Sequence, residues 1–182
     1  MKIRLADPDQ DAAACAAIYL PFVTDSATSF DEEPPTPASF ADKIKHLSET
    51  YPFLVATEDD EVLGYAYASE YRARVAYRWS AEVSVYIHAD HRGRGVGKRL
   101  YEVLLELMTK QGFRVAVAAI TVPNDASISL HQRCGFEPVG VFKAIGFKLG
   151  EWRDVAFLEL QLGGSEPPGA APGPPALLVD EQ

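Results

Sequence analysis

Cysteine is scarce: the 182 residues contain two, Cys15 and Cys134, each in a helix-like stretch. Neither lies in a C-x-x-C pair or near a histidine pattern that suits zinc, which weighs against a disulfide framework and against a metal site. Both read as buried free thiols of a reducing compartment, so a cytoplasmic location is expected. Long hydrophobic runs are also missing. The first apolar stretch is interrupted by Asp7, Asp9 and Asp11, so neither a signal peptide nor a membrane span is expected. Positive charge is in short supply, with 17 Lys and Arg against 26 Asp and Glu, a formal net charge of −9. Such a balance disfavours nucleic acid and anionic membranes as partners of the chain as a whole. No internal repeat is present.

Hydrophobic residues make up 47% of the chain, enough for one domain with a substantial core. That domain is expected over residues 1–162. Residues 163–182 hold five prolines among glycines and alanines and are expected to form a disordered tail.

Within the domain, residues 2–5 read as a strand and Asp7 or Asp9 as the cap of a helix with its apolar face at Ala12 to Phe22. Pro34 and Pro35 break the loop that follows. Phe40, Ile44 and Leu47 mark a second helix over 37–50. Strands are expected at 53–56, 62–70 and 80–88, with an Arg- and Tyr-rich connection at 71–79. A helix should run to about Gln111. The continuous apolar run Val115–Val122 predicts a strand buried on both faces. Asn124 or Asp125 caps another helix, and a hairpin turning near Gly150 ends the domain. The order β-α-α-β-β-β-α-β-α-β-β describes an α+β fold. Its mixed, mostly antiparallel sheet should have six to seven strands, with helices on both faces.

Residues 92–97, Arg-Gly-Arg-Gly-Val-Gly, lie between a strand and a helix. Glycines let the backbone approach a phosphate, and the first free N–H groups of a helix point at it. Two familiar phosphate loops fail on spacing. The dinucleotide fingerprint lacks its third glycine, because Lys98 stands there. The nucleotide P-loop would need glycine at 92 and Ser or Thr at 99, where the chain has Arg92 and Arg99. The remaining pattern, R-x-x-G-x-G, resembles the acetyl-CoA pyrophosphate loop of the GNAT family of N-acetyltransferases.

The strand before this loop alternates. Ala81, Val83, Val85 and Ile87 suit a core, while Glu82, Ser84, Tyr86 and His88 share the other face, which implies a polar pocket or solvent. Amine acetylation needs a free lone pair, yet an α-amino group has a pKa of about 7.7–8.0 and is largely protonated at neutral pH. A half-buried carboxylate with a raised pKa could accept that proton, and Glu82 is the candidate base. Asn124 to Phe136, an Asn before a helix ending in Gly-Phe, is similar to the same family's second cofactor motif. A tyrosine that donates to the CoA thiolate often occupies the position of His131, which can also donate or relay a proton near neutral pH.

Further segments resemble phosphinothricin and methionine sulfoximine N-acetyltransferases. They are Thr28-Ser29-Phe30, Tyr71-Arg72-Ala73-Arg74, Ala76-Tyr77-Arg78-Trp79, Glu82-Val83-Ser84-Val85-Tyr86, Val122-Pro123-Asn124-Asp125, Leu130-His131 and Gly146-Phe147-Lys148. The likeness spans roughly residues 2 to 162. It implies acetyl-CoA as co-substrate and the α-amino group of a small amino-acid analogue as acceptor, with a homodimer as the assembly. Carried over by position, it implies Glu82 as base and His131 near the reacting centre. Val85, Tyr86, Ile87, Arg92, Gly93, Arg94, Gly95, Val96, Gly97, Lys98 and Asn124 would hold the cofactor. Phe30, Arg72, Arg74, Tyr77, Ser84, Tyr86 and Val155 would line the acceptor pocket. Two guanidinium groups suit the oxyanion of such an acceptor. Arg72 and Ser84 stand where the herbicide-acetylating members tend to have lysine and threonine, and Arg153 also differs, so the resemblance leaves the particular acceptor open. Acetylation of a peptide N-terminus and non-catalytic acyl-CoA sensing are the competing readings.

Overall fold

The computed structural model describes residues 1–164 and 166–175. The expected tail therefore lies partly outside the described residues. Its described part carries no helix or strand and lies against Trp79, Gln111 and Arg114.

The chain opens with β1 (Lys2–Leu5) and α1 (Pro8–Thr24). Asp7 caps α1 by accepting the N–H groups of Asp9 and Gln10, and Pro8 occupies the first turn, where its missing N–H costs nothing. Asp11, read in the sequence as a polar interruption, is buried. It accepts two hydrogen bonds from Arg4, at 2.6 and 2.7 Å, and the Asp7 N–H, so β1 is fastened to α1. Thr36 caps α2 (Pro37–Ser48), which presents Phe40, Ile44 and Leu47 to the core.

Next come β2 (Phe53–Glu58), β3 (Glu61–Glu70) and β4 (Ser80–Ile87). They are followed by α3 (Val96–Gln111), β5 (Val115–Val122), α4 (Asp125–Arg133), β6 (Glu137–Lys148) and β7 (Glu151–Gln161). All seven strands form one sheet in the order β1-β2-β3-β4-β5-β7-β6, antiparallel except where β4 meets β5.

Two cores flank the sheet. Against β2–β4, α1 and α2 enclose an aromatic cluster in which Phe53 stacks on Tyr67 at 5.0 Å and on Tyr65 at 5.6 Å. On the other face, Leu100, Leu104 and Met108 of α3 pack against Leu54, Ala66 and Val83. The expectation for β5 needs correction, because Ala119 is exposed. The β4–β5 ladder spans only Ser80–Glu82 against Val115–Val117. Beyond Glu82 the two strands separate, and Ala119 faces the opening instead of a core.

Candidate active site

The separation of β4 from β5 builds the site. β5 remains paired to β7 along its whole length and β4 to β3, so each strand keeps one partner and loses the other. His88 N–H bonds the carbonyl of Leu63 on the β3 side. Strand alternation then turns the main-chain groups of Val83, Val85 and Ile87 toward the opening. Buried main-chain polar groups require partners, and an extended ligand with its own amides would supply them here. For cofactor contact this favours the backbone of Val85 and Ile87. The backbone of Tyr86 faces β3, and its ring packs against Tyr19 and Phe22 of α1.

At the mouth of the opening stands the Gly/Arg loop. Gly93 and Gly95 have φ of 75° and 82°, a left-handed conformation that glycine adopts without strain. Gly95 caps α3, so Val96, Gly97 and Lys98 belong to its first turn. Among the described residues, the main-chain N–H groups of Gly93 to Lys98 have no hydrogen-bond partner. They form a run of donors at a helix N-terminus, which suits an anion. The arginine side chains of the loop are engaged within the protein. Arg94 is tied to Glu58 at 2.8 Å and to His91, and Arg92 leans over the Phe22 ring.

A cleft of about 50 Å³ lies in the opening, lined by Thr28, Ser84, Tyr86, Ala119, Asn124 and His131 among others. Glu82 sits at the last position of β4 that pairs with β5, on the α1 side of the sheet, and is half-buried. Burial pushes its carboxyl pKa above the ordinary value, and the Arg72 guanidinium opposes that shift. Asn124 caps α4 through Oδ1, accepting the Ser127 N–H at 3.1 Å.

His131 is 3% exposed, and both of its ring nitrogens are engaged within the protein. Its Nδ1 lies 2.8 Å from the Ser127 carbonyl, which can only accept, so Nδ1 carries the hydrogen. Nε2 therefore accepts from the Tyr101 hydroxyl at 2.8 Å. Burial lowers the imidazole pKa, against the pull of the Ser127 carbonyl, and favours this neutral form. Tyr101, which also lines the cleft, was not identified from the sequence.

The acceptor-side candidates are more scattered. Ser84 and Tyr86 line the cleft, whereas Arg72, Arg74 and Tyr77 are exposed on the 71–79 connection, and Phe30 lies against Gly146. Val155 is buried in β7 beside Thr121 of β5. Arg72 also borders a second cavity of about 400 Å³, with Val117, Phe142, Phe157 and Glu159. By register Val117 and Glu159 share the sheet face of Glu82, so this cavity opens on that face, over β5, β7 and β6.

Residues 18–136 match the acetyltransferase (GNAT) family model. The chain belongs to the GNAT acetyltransferase family. Over 158 residues this GNAT chain is 39% identical to a phosphinothricin N-acetyltransferase of Streptomyces viridochromogenes, covering 87% of itself and 86% of that protein. It is 38% identical to an L-methionine sulfoximine/L-methionine sulfone acetyltransferase of Pseudomonas aeruginosa, covering 89% of itself and 94% of the relative. The fold superposes with a TM-score of 0.89 on a phosphinothricin acetyltransferase from Sinorhizobium meliloti solved in complex with acetyl-CoA, at 36% identity and 94% coverage of each chain. The parted strands and the donor-lined helix start are thus the framework of an acetyltransferase.

Proposed function

We propose that this enzyme acetylates the α-amino group of a small amino-acid analogue of the phosphinothricin or methionine sulfoximine/sulfone type, with acetyl-CoA as donor. The observation that carries the reading is the half-buried Glu82 at the point where β4 and β5 part. The N–H groups of Gly93 to Lys98 receive the pyrophosphate. Val85 and Ile87 pair their backbone with the amides of the pantetheine arm, and the thioester reaches the cleft beside Asn124. Glu82, with its pKa raised by burial, takes the proton of the acceptor ammonium directly or through water, and the neutral amine attacks the thioester carbonyl. Main-chain N–H groups at the opening stabilise the developing oxyanion. Tyr101 lines the cleft on the side of the departing sulfur with its one hydroxyl hydrogen held by His131 Nε2, so CoA leaves as the thiolate and takes up the proton that the attacking nitrogen releases. Arg72 and Arg74 draw the anionic end of the acceptor.

The catalytic domain is residues 1–162, and its working form in this reading is a homodimer. β6 is an edge strand with Val139, Phe142 and Phe147 exposed, and Trp152 of β7 is 65% exposed. An apolar edge of this kind needs a cover, and a second copy of the chain supplies one. Among the described residues no helix is long and apolar enough to cross a membrane, and a cytoplasmic enzyme fits that.

The test is release of CoA thiol from acetyl-CoA with phosphinothricin, methionine sulfoximine, methionine sulfone and short peptides as acceptors. Turnover is expected with the amino-acid analogues. Turnover with peptides alone, or acetyl-CoA binding without turnover on any amine, contradicts the proposal.

A further inference from the structure

Lysine is seldom fully buried, yet Lys148, the last residue of β6, is 8% exposed. Among the described residues its ammonium forms no salt bridge, and the Asp31 and Glu32 carboxylates act on it only at longer range. Instead Nζ donates to the carbonyl oxygens of Ser29 at 2.6 Å and Asp31 at 2.7 Å, the residues on either side of Phe30. The loop between α1 and α2 is thereby gripped by its backbone from the far end of the domain. A second anchor comes from α1. The Tyr19 hydroxyl donates to the Asp31 carboxylate at 2.8 Å, which leaves it to accept from the Ser29 hydroxyl at 2.5 Å. A third is steric: the Phe30 ring fills the space over Gly146, where any Cβ would overlap it.

Phe30 is thus fixed on three sides but remains 42% exposed. An aromatic ring fixed this firmly and left half in solvent contributes little to the core. Two residues earlier in the same loop, Thr28 lines the cleft beside Ser84 and Tyr86. We infer that Lys148 is a positioning residue for the acceptor side of the site. It holds the 28–31 segment so that Thr28 and Phe30 wall the approach of the amine, with the Phe30 ring against the aliphatic part of an amino-acid-like acceptor. This role rests on the acetyltransferase reading above and deepens it. Lys148 touches neither the Gly93–Lys98 donors nor the opening that takes the pantetheine arm, so its influence falls on the acceptor alone.

Two independent readouts test it. Hydrogen exchange of the free enzyme reports the grip without any substrate. In Lys148→Met, exchange across residues 26–36 should quicken by about tenfold or more, with α3 and β2–β4 unchanged. Steady-state kinetics should show the acceptor KM raised by roughly tenfold, the acetyl-CoA KM within about twofold of wild type, and kcat little changed. Lys148→Arg keeps a cationic donor and should recover much of both effects. Gly146→Ala displaces Phe30 without altering Lys148 and should raise the acceptor KM in the same selective way; it carries the test if Lys148→Met does not fold. Unchanged exchange in 26–36, or an acceptor KM that stays at the wild-type value or rises together with that for acetyl-CoA, overturns the inference. If the wild type turns over no amine, the acetyltransferase reading fails and the acceptor role with it, while the exchange arm still decides whether Lys148 holds the loop.

Discussion

The two halves of the sheet are finished differently. Over β1–β4, α1 and α2 cover one face and α3 the other, and Phe53, Leu54, Val55 and Tyr65 are wholly inaccessible to solvent. Over β5, β7 and β6, α4 packs on β5, and the other face exposes Ala119 and Phe142. The site lies on the seam, where the β4–β5 ladder stops at Glu82 and Val117. The finished half supplies a rigid wall carrying Glu82, Ser84 and Tyr86. The unfinished half supplies the space. A sheet closed on both sides of this seam would pair the backbone groups that an extended cofactor needs.

That contrast can be broken by mutation. The largest expected effect on stability is Phe53→Ala in the finished half. It removes a ring stacked against both Tyr65 and Tyr67 and should cost about 3–5 kcal/mol in denaturant unfolding. Phe142→Ala in the unfinished half should cost the isolated chain no more than about 0.5 kcal/mol, yet shift the sedimentation equilibrium toward monomer. Equal losses of stability at the two sites would erase the distinction. At the seam, Arg72→Met removes the cation that opposes the rise in the Glu82 pKa. Because the base must be ionised, activity is lost as pH falls through that pKa, so the acidic limb of the kcat/KM profile should move to higher pH in this variant. A limb that stays in place or moves lower would separate Arg72 from Glu82. The smallest effect has the opposite sign. The Tyr65 hydroxyl is buried without a hydrogen-bond partner among the described residues, so Tyr65→Phe should leave stability unchanged or raise it by up to about 1 kcal/mol.

The order of elements was legible because each announces itself locally. Period-two alternation marks β4, the Phe40/Ile44/Leu47 spacing marks α2, and Gly93 and Gly95 mark the turn into α3. Long-range relations were not. Nothing local says that β7 inserts between β5 and β6, or that a parallel pair joined through α3 parts after three residues. The apolar run 115–122 looked like a strand with two buried faces, because composition does not reveal that Ala119 has lost its neighbour. Arg94 was placed in the cofactor loop, but its partner Glu58 is 36 residues away. Asp11 read only as a break in an apolar stretch and Lys148 only as part of a family-like segment, and both are buried through partners supplied by other elements. His131 was found by motif, whereas its tautomer depends on Tyr101 and the Ser127 carbonyl, which only the fold brings to it.

The central claim is that Glu82, at the end of the β4–β5 ladder, deprotonates the amine presented to the thioester. It is tested most directly by comparing wild type with Glu82→Gln across about pH 6–9 for kcat/KM, with acetyl-CoA affinity measured alongside. The account predicts a fall in kcat of roughly 10²–10⁴, loss of the acidic limb and unchanged acetyl-CoA affinity. Wild-type turnover by Glu82→Gln throughout that range would contradict it.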